Sequence, residues 1–444
     1  MRRALAMAVV ASAVVWAGSA AAQSSWIDGS PIQTRLRVGA DGTTYVGVWI
    51  DAPRTVVTRV RAPMALALVV DTSGSMAGDK IENARLAAAS LLESAADGDI
   101  VSIVAFSNHA VELAPPTVVS AATRSGLMQR VGQLYAAGGT NLYGGVQAAL
   151  GRMSQAPATH PIRRVFLISD GHANIGPSDP ASLTSLAANG TEWGAQISAI
   201  GVGYEYDQGT LASMVVRTSG RLHHLGQPQQ MAHILEQEMG LLSRTVALNA
   251  FIEVLPAPGV RIVEGATLGA EVVEGRVRLP LGALYAGQHR ELLFRARVDT
   301  ARPGAHPLGQ ARLVYEVPGE RERRIDERAL RYEVTTDVAS AEASQAPAVV
   351  AMLADHQASE SQRRAASMMR SGRQQDAAAE LSRARAALAA AAQRAPADSA
   401  SGARMRERAA RMEAASSRAA SAPAAAAPAA AYDFEAEAVQ AEGY

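Results

Sequence analysis

An uninterrupted apolar run, Met64-Ala65-Leu66-Ala67-Leu68-Val69-Val70, ends on Asp71-Thr72-Ser73-Gly74-Ser75, and this junction constrains the chain more than any other. Seven apolar residues without alternation predict a strand covered on both faces, as in a parallel sheet flanked by helices. In open α/β sheets, ligands bind where such strands end. Asp71, Ser73 and Ser75 stand at alternate positions, which turns their oxygens toward one point. Hard oxygen donors with no Cys and no local His suit Mg2+, Mn2+ or Ca2+ rather than zinc or copper.

Two further segments add donors. Gly138-Gly139-Thr140-Asn141-Leu142 is a glycine-loosened loop offering a hydroxyl, and Val165-Phe166-Leu167-Ile168-Ser169-Asp170-Gly171 is a second buried strand ending in a carboxylate. Taken singly, an Asp-Gly step is usually a turn and a Gly-Gly-Thr loop usually punctuation. In this order the three segments resemble the metal-ion-dependent adhesion site of the von Willebrand factor type A (VWA) family. The resemblance covers roughly residues 64–240. It implies that Ser73, Ser75 and Thr140 are hydroxyl ligands of a Mg2+ ion (Mn2+ or Ca2+ also suit), with Asp71 and Asp170 acting directly or through water. It also implies a Rossmann-like, doubly wound, mostly parallel sheet, and a protein partner that presents an Asp or Glu carboxylate. Nothing in the three motifs sets a general base beside a nucleophile, so binding rather than turnover is expected.

Texture along the chain sets the domain expectations. Residues 32–62 alternate apolar and polar like half-exposed strands, including one over 55–60; residues 63–243 alternate buried strands with helices; residues 244–337 return to short strands between Pro, Gly and Asp turns. Matched texture on either side predicts one all-β sandwich, with the α/β unit (the VWA domain of the resemblance) inserted into it. Residues 345–395 predict a helical hairpin turning at Ser371-Gly372. Residues 396–444, rich in Ala, Ser, Arg and Pro, are expected to be a disordered tail, too poor in large apolar groups to offset chain entropy. The tail's acidic end, Asp433 to Glu437, reads first as a solvated terminus, the alternative being a tethered ligand for the metal site of its own or a neighbouring molecule.

At the amino terminus, Met1-Arg2-Arg3, an apolar stretch over 4–17 and Ser19-Ala20-Ala21-Ala22 read as a Sec-type signal peptide of residues 1–22. A periplasmic or secreted protein with no membrane span after cleavage is expected. The 444 residues include no cysteine, so no disulfide helps hold the fold, and a formal net charge of zero argues against bulk attraction to nucleic acid. The function expected is therefore a cation-dependent adhesion or scaffold protein of the cell envelope or exterior. The alternative is an exported hydrolase or other enzyme using His109, His172 or the pair His223-His224, but no Gly-x-Ser-x-Gly motif accompanies them. A subunit of a metal-inserting chelatase is disfavoured by the export signal and the lack of an ATP-binding loop.

Overall fold

The structure, a computed structural model, describes residues 25–54, 61–320, 322–395 and 400–444. The leader at 1–22 and the strand expected over 55–60 lie outside them.

Three strands open the fold: β1 (Ile27–Pro31), β2 (Arg35–Arg37) and β3 (Thr43–Asp51). An α/β unit follows, with strands β4 (Met64–Asp71), β5 (Ile100–Phe106), β6 (Ala110–Val118), β7 (Ile162–Ser169), β8 (Ala195–Val202) and β9 (Leu222–Leu225). Its helices are α1 (Asp79–Ser94), α2 (Ala121–Val131), α3 (Leu142–Ser154), α4 (Pro180–Gly190), α5 (Gln208–Thr218) and α6 (Met231–Leu242). The sheet order is β6-β5-β4-β7-β8-β9, parallel except where β6 runs antiparallel to β5.

All eight residues of β4 are buried, as the unbroken apolar run predicts. Met64, Leu66, Leu68 and Val70 enter a core with α1, α2 and α6, while Ala65, Ala67 and Val69 enter a second core with α3, α4 and α5. Each larger side chain contributes roughly 1.5–3 kcal/mol on burial, and a polar substitute would have no solvent-facing side to turn to. The chain leaves β4 first toward β5 and later toward β7. The carboxyl ends of β4 and β7 thus flank the topological switch point, where α/β sheets bind ligands. The edge strand β6 escapes sequence reading because Pro115-Pro116 interrupts its pattern. On an edge, a missing N–H need cost no ladder bond.

The chain then returns to β structure with β10 (Thr245–Pro256), β11 (Arg261–Gly265), β12 (Glu271–Val273), β13 (Arg276–Tyr285), β14 (His289–Arg297), β15 (Gly304–Glu316) and β16 (Arg323–Thr335). These strands and the first three form two sheets, ordered β1-β3-β14-β11 and β12-β13-β10-β15-β16-β2. β3 pairs with β14 from Thr43 opposite Arg297 to Asp51 opposite His289. Val46, Val48 and Ile50 share a core with Ile252, Val254, Leu292 and Phe294. The α/β unit is thus inserted into an all-β sandwich. Deleting residues 23–61 is expected to strip amide-exchange protection from β14, which would keep only β11 beside it; unchanged protection there would show the two segments to be independent.

Four helices follow: α7 (Val338–Glu342), α8 (Pro347–Arg370), α9 (Gln374–Arg394) and α10 (Ala400–Ser421), and a fifth, α11 (Ala427–Ala441), ends the fold. The hairpin of α8 and α9 turns at Gly372, whose φ is +74°. The expectation of a disordered tail is overturned. α10 and α11 pack on the hairpin through Met405, Met412, Ala415, Ala419, Ala431 and Phe434. Alanine is the strongest helix former and lets helices approach closely, so a few Met and Phe anchors suffice where sequence reading asked for many large groups.

The acidic end is likewise no free ligand. Glu435 pairs with Arg370, Glu437 with Arg418 (2.6 Å), and Asp433 lies 3.6 Å from His224. His224, on β9, sits among the rings of Tyr204, Tyr206 and Tyr432, the last from α11. Burial pushes its pKa down to about 4. The folded chain therefore holds it neutral, and the unfolded chain takes up the proton first. Its contribution is complete above the ordinary pKa of about 6.5 and is lost as pH falls toward 4, at a ceiling of about 3 kcal/mol. A His224→Phe variant should show a flatter melting temperature across that window; an unchanged slope would contradict the assignment.

Candidate metal centre

The first loop is built by its backbone. Thr72 donates N–H and hydroxyl to the carbonyl of Phe106 at 2.8 and 3.0 Å, and a single 3-10 turn over Gly74–Met76, anchored by buried Met76, carries Ser75 around. The second loop is tied to the first. Ala137 N–H donates to Thr72 O (2.7 Å) and Gly74 N–H to Gly138 O (2.9 Å). Gly138 has φ +82°, a left-handed conformation that L side chains rarely adopt. At Gly139 a Cβ would lie 2.7 Å from Ile175 and 2.8 Å from Asn174. Asn174 Oδ1 accepts from Thr140 N–H (2.8 Å), and Asn141 caps α3 by accepting from Gly144 N–H (2.9 Å).

These loops bring all five expected residues together. Asp71 is fully buried, with Oδ1 accepting from Ser73 N–H (2.8 Å) and Oδ2 from the Ser169 hydroxyl (2.6 Å). Burial pushes its carboxyl above the usual range, and the hydrogen bonds from Ser169 and Ser73 counter part of that rise. The Ser73 and Ser75 hydroxyl oxygens lie 3.0 Å apart, and Ser75 donates to Asp170 Oδ1 (2.7 Å). A Cβ placed on Gly171 would lie 3.6 Å from Ser75 Oγ and 3.7 Å from Thr140 Oγ1, so both hydroxyls border the same small space. The Lys80 ammonium donates to Asp170 Oδ2.

This donor set suits a hard divalent cation. Each carboxylate oxygen already accepts one hydrogen bond, while the hydroxyls of Ser75 and Thr140 border the space between the loops and that of Ser73 lies 3.0 Å from Ser75. Among the described residues no group of three or more His, Cys, Asp or Glu gathers to hold a metal. This centre has only two carboxylates and would rely on hydroxyls.

Ser169 and Lys80 are the two residues that sequence reading missed. Both left a signal: Ser169 immediately precedes Asp170, and Lys80 is the only lysine in the chain.

Residues 66–172 match the family model of the von Willebrand factor type A domain. The chain carries a VWA domain. An uncharacterized protein of Synechocystis is 26% identical over 270 residues, 58% of this chain and 63% of that protein, so the match spans less than two thirds of that relative. The solved von Willebrand factor type A protein from Catenulispora acidiphila superposes with a TM-score of 0.70 at 17% identity, covering 83% of this chain and 87% of that one. The ArnB paralog VWA2 from Sulfolobus acidocaldarius gives 0.60 at 13%, covering 94% and 98%. These two likenesses show a shared fold.

The histidines weighed for catalysis are dispersed around the VWA domain. His109 and His172 are exposed, His223 is buried against Glu238 (3.1 Å), and His224 belongs to the aromatic cluster. Among the described residues, no helix is long and apolar enough to cross a membrane.

Proposed function

We propose that this chain is a divalent-cation-dependent protein-binding protein, an adhesion or scaffold component of the cell envelope or exterior. The observation that carries the reading is the gathering of three neutral hydroxyls, Ser73, Ser75 and Thr140, beside Asp71 and Asp170, whose four oxygens each already accept a hydrogen bond, and this favours the hydroxyls as inner donors. Ser73, Ser75 and Thr140 would hold Mg2+, or Mn2+ or Ca2+, with Asp71 and Asp170 acting through water. An ion held by neutral donors keeps most of its charge and supplies an open coordination position to an Asp or Glu carboxylate of a partner. The tied loops keep the hydroxyls in place without help from the ligand.

The reading is binding rather than turnover. His223 and His224 are held by structural contacts, and no motif pairs a base with a nucleophile. Export rests on the amino-terminal 22 residues. The test is capture of partners from envelope and culture-medium extracts on the immobilised full chain. A partner retained with Mg2+ and released by EDTA is expected; capture indifferent to EDTA would contradict the reading.

A further inference from the structure

Lys80 is the only lysine among 42 lysines and arginines, and it stands at the metal centre. Its ammonium takes Asp170 Oδ2 while Ser75 holds Oδ1 at 2.7 Å. The Asp170 side chain is fully buried, and that of Lys80 is 27% exposed. The position runs against local electrostatics, because Lys80 lies in the first turn of α1, where the helix dipole disfavours a cation. Arginine, which fills every other basic position, would not serve. A guanidinium forks across both oxygens of a carboxylate and would take Oδ1 from Ser75; an ammonium is a compact point charge that engages one oxygen and leaves the other.

We propose that Lys80 is a fixed counter-cation that sets the charge balance of the centre, weakening its hold on a divalent cation while strengthening the loaded centre's hold on an anionic ligand. The proposal rests on the metal reading above. Asp71, Asp170 and Lys80 together carry one net negative charge, which a divalent cation turns into one net positive charge. Without Lys80 the same cation would leave the centre neutral. Lys80 therefore opposes entry of the cation and favours arrival of a carboxylate, in a partly desolvated site where charges act more strongly than in water. The outcome is a centre that gives up some cation affinity and keeps a positive surplus for its ligand.

The test uses the full chain and its Lys80→Met variant, titrated with Mn2+ by calorimetry; the Mn2+-loaded proteins are then titrated with acetate and followed by water proton relaxation. The variant should bind Mn2+ more tightly, on the order of tenfold, and acetate more weakly by a similar factor. A purely structural role would weaken both. Shifts of the same sign, or none, overturn the proposal while leaving the metal reading in place; wild-type protein that binds no cation overturns both. Lys80→Gln decides the matter if Lys80→Met does not fold. It removes the charge but keeps an N–H donor for Asp170, so it should again bind Mn2+ more tightly and acetate more weakly than wild type, and shifts of the same sign, or none, overturn the proposal.

Discussion

Asp71→Ala should abolish cation binding, weakening it at least about a hundredfold, ~2.8 kcal/mol, with the chain still folded. The substitution removes a charge from beside the ion and also frees Ser73 N–H and the Ser169 hydroxyl, which Asp71 holds at 2.8 and 2.6 Å. Loss of those two bonds costs about 1–3 kcal/mol of fold stability each. Release of a buried carboxylate, whose ionised form burial disfavours, offsets part of it. Asp71→Asn keeps an acceptor for Ser73 and turns an NH2 toward Ser169, whose hydroxyl can accept instead of donate, so it removes the charge with little loss of hydrogen bonding and should also lose the ion. Ser73→Ala and Thr140→Ala should weaken binding less, since water replaces a hydroxyl better than it replaces a charge. Calorimetry that finds unchanged affinity in Asp71→Ala would remove the metal assignment.

A second large effect is expected far from the metal. Arg164, on β7, is wholly buried and donates to Ser198 (3.1 Å), to Gln196 (3.3 Å) and to the hydroxyl of Tyr285 (2.5 Å) on β13. It therefore joins the VWA domain to the sandwich. Beside it, Glu238 is buried with His223 at 3.1 Å, Arg221 at 3.2 Å and Ser198 at 2.9 Å. Burial pushes the Glu238 carboxyl up; the His223 hydrogen bond and the charges of Arg164, His223 and Arg221 overcome this and hold it down to about 2. Arg164→Met would leave the Tyr285 hydroxyl, Ser198 and Gln196 without their buried donor and remove one of the charges that hold Glu238 down, while Glu238 keeps His223, Arg221 and Ser198. A buried polar group left without its partner costs about 1–3 kcal/mol, which lowers the melting temperature of a domain this size by several degrees. Tyr285→Phe in the Arg164→Met background should add little, because the partner is already gone. A melting temperature within a degree or two of wild type would mean that the network does not hold the joint.

How much of this was legible in the sequence follows from which physical signal each part leaves. Burial on two faces writes an unbroken apolar run, so β4 and β7 could be read with the donors at their ends. One-face burial writes alternation, which made β3 and β14 recognisable as parts of one sandwich although the VWA domain separates them. Short elements leave less: the three exposed residues of β12 carry no alternation. Alanine-rich helices mislead, because the residue that best forms a helix contributes little to an apolar count; α10 and α11 read as a tail on that ground. The five ligand candidates were legible because hydroxyl and carboxylate donors at strand ends have a recognisable spacing. The partners of those donors were harder. Ser169 lies inside a buried strand and Lys80 on the first turn of a helix, and only folding brings either to a carboxylate.

The proposed centre turns on neutral hydroxyls facing the ion while both carboxylates stay one step behind. The most direct measurement is a crystal structure of the full chain grown with Mn2+, with anomalous scattering recorded at the manganese edge. The expected result is a single peak directly bonded to the hydroxyl oxygens of Ser73, Ser75 and Thr140, with Asp71 and Asp170 reaching it through water. A peak coordinated directly by both carboxylates, or no peak between these loops at saturating Mn2+, would contradict it.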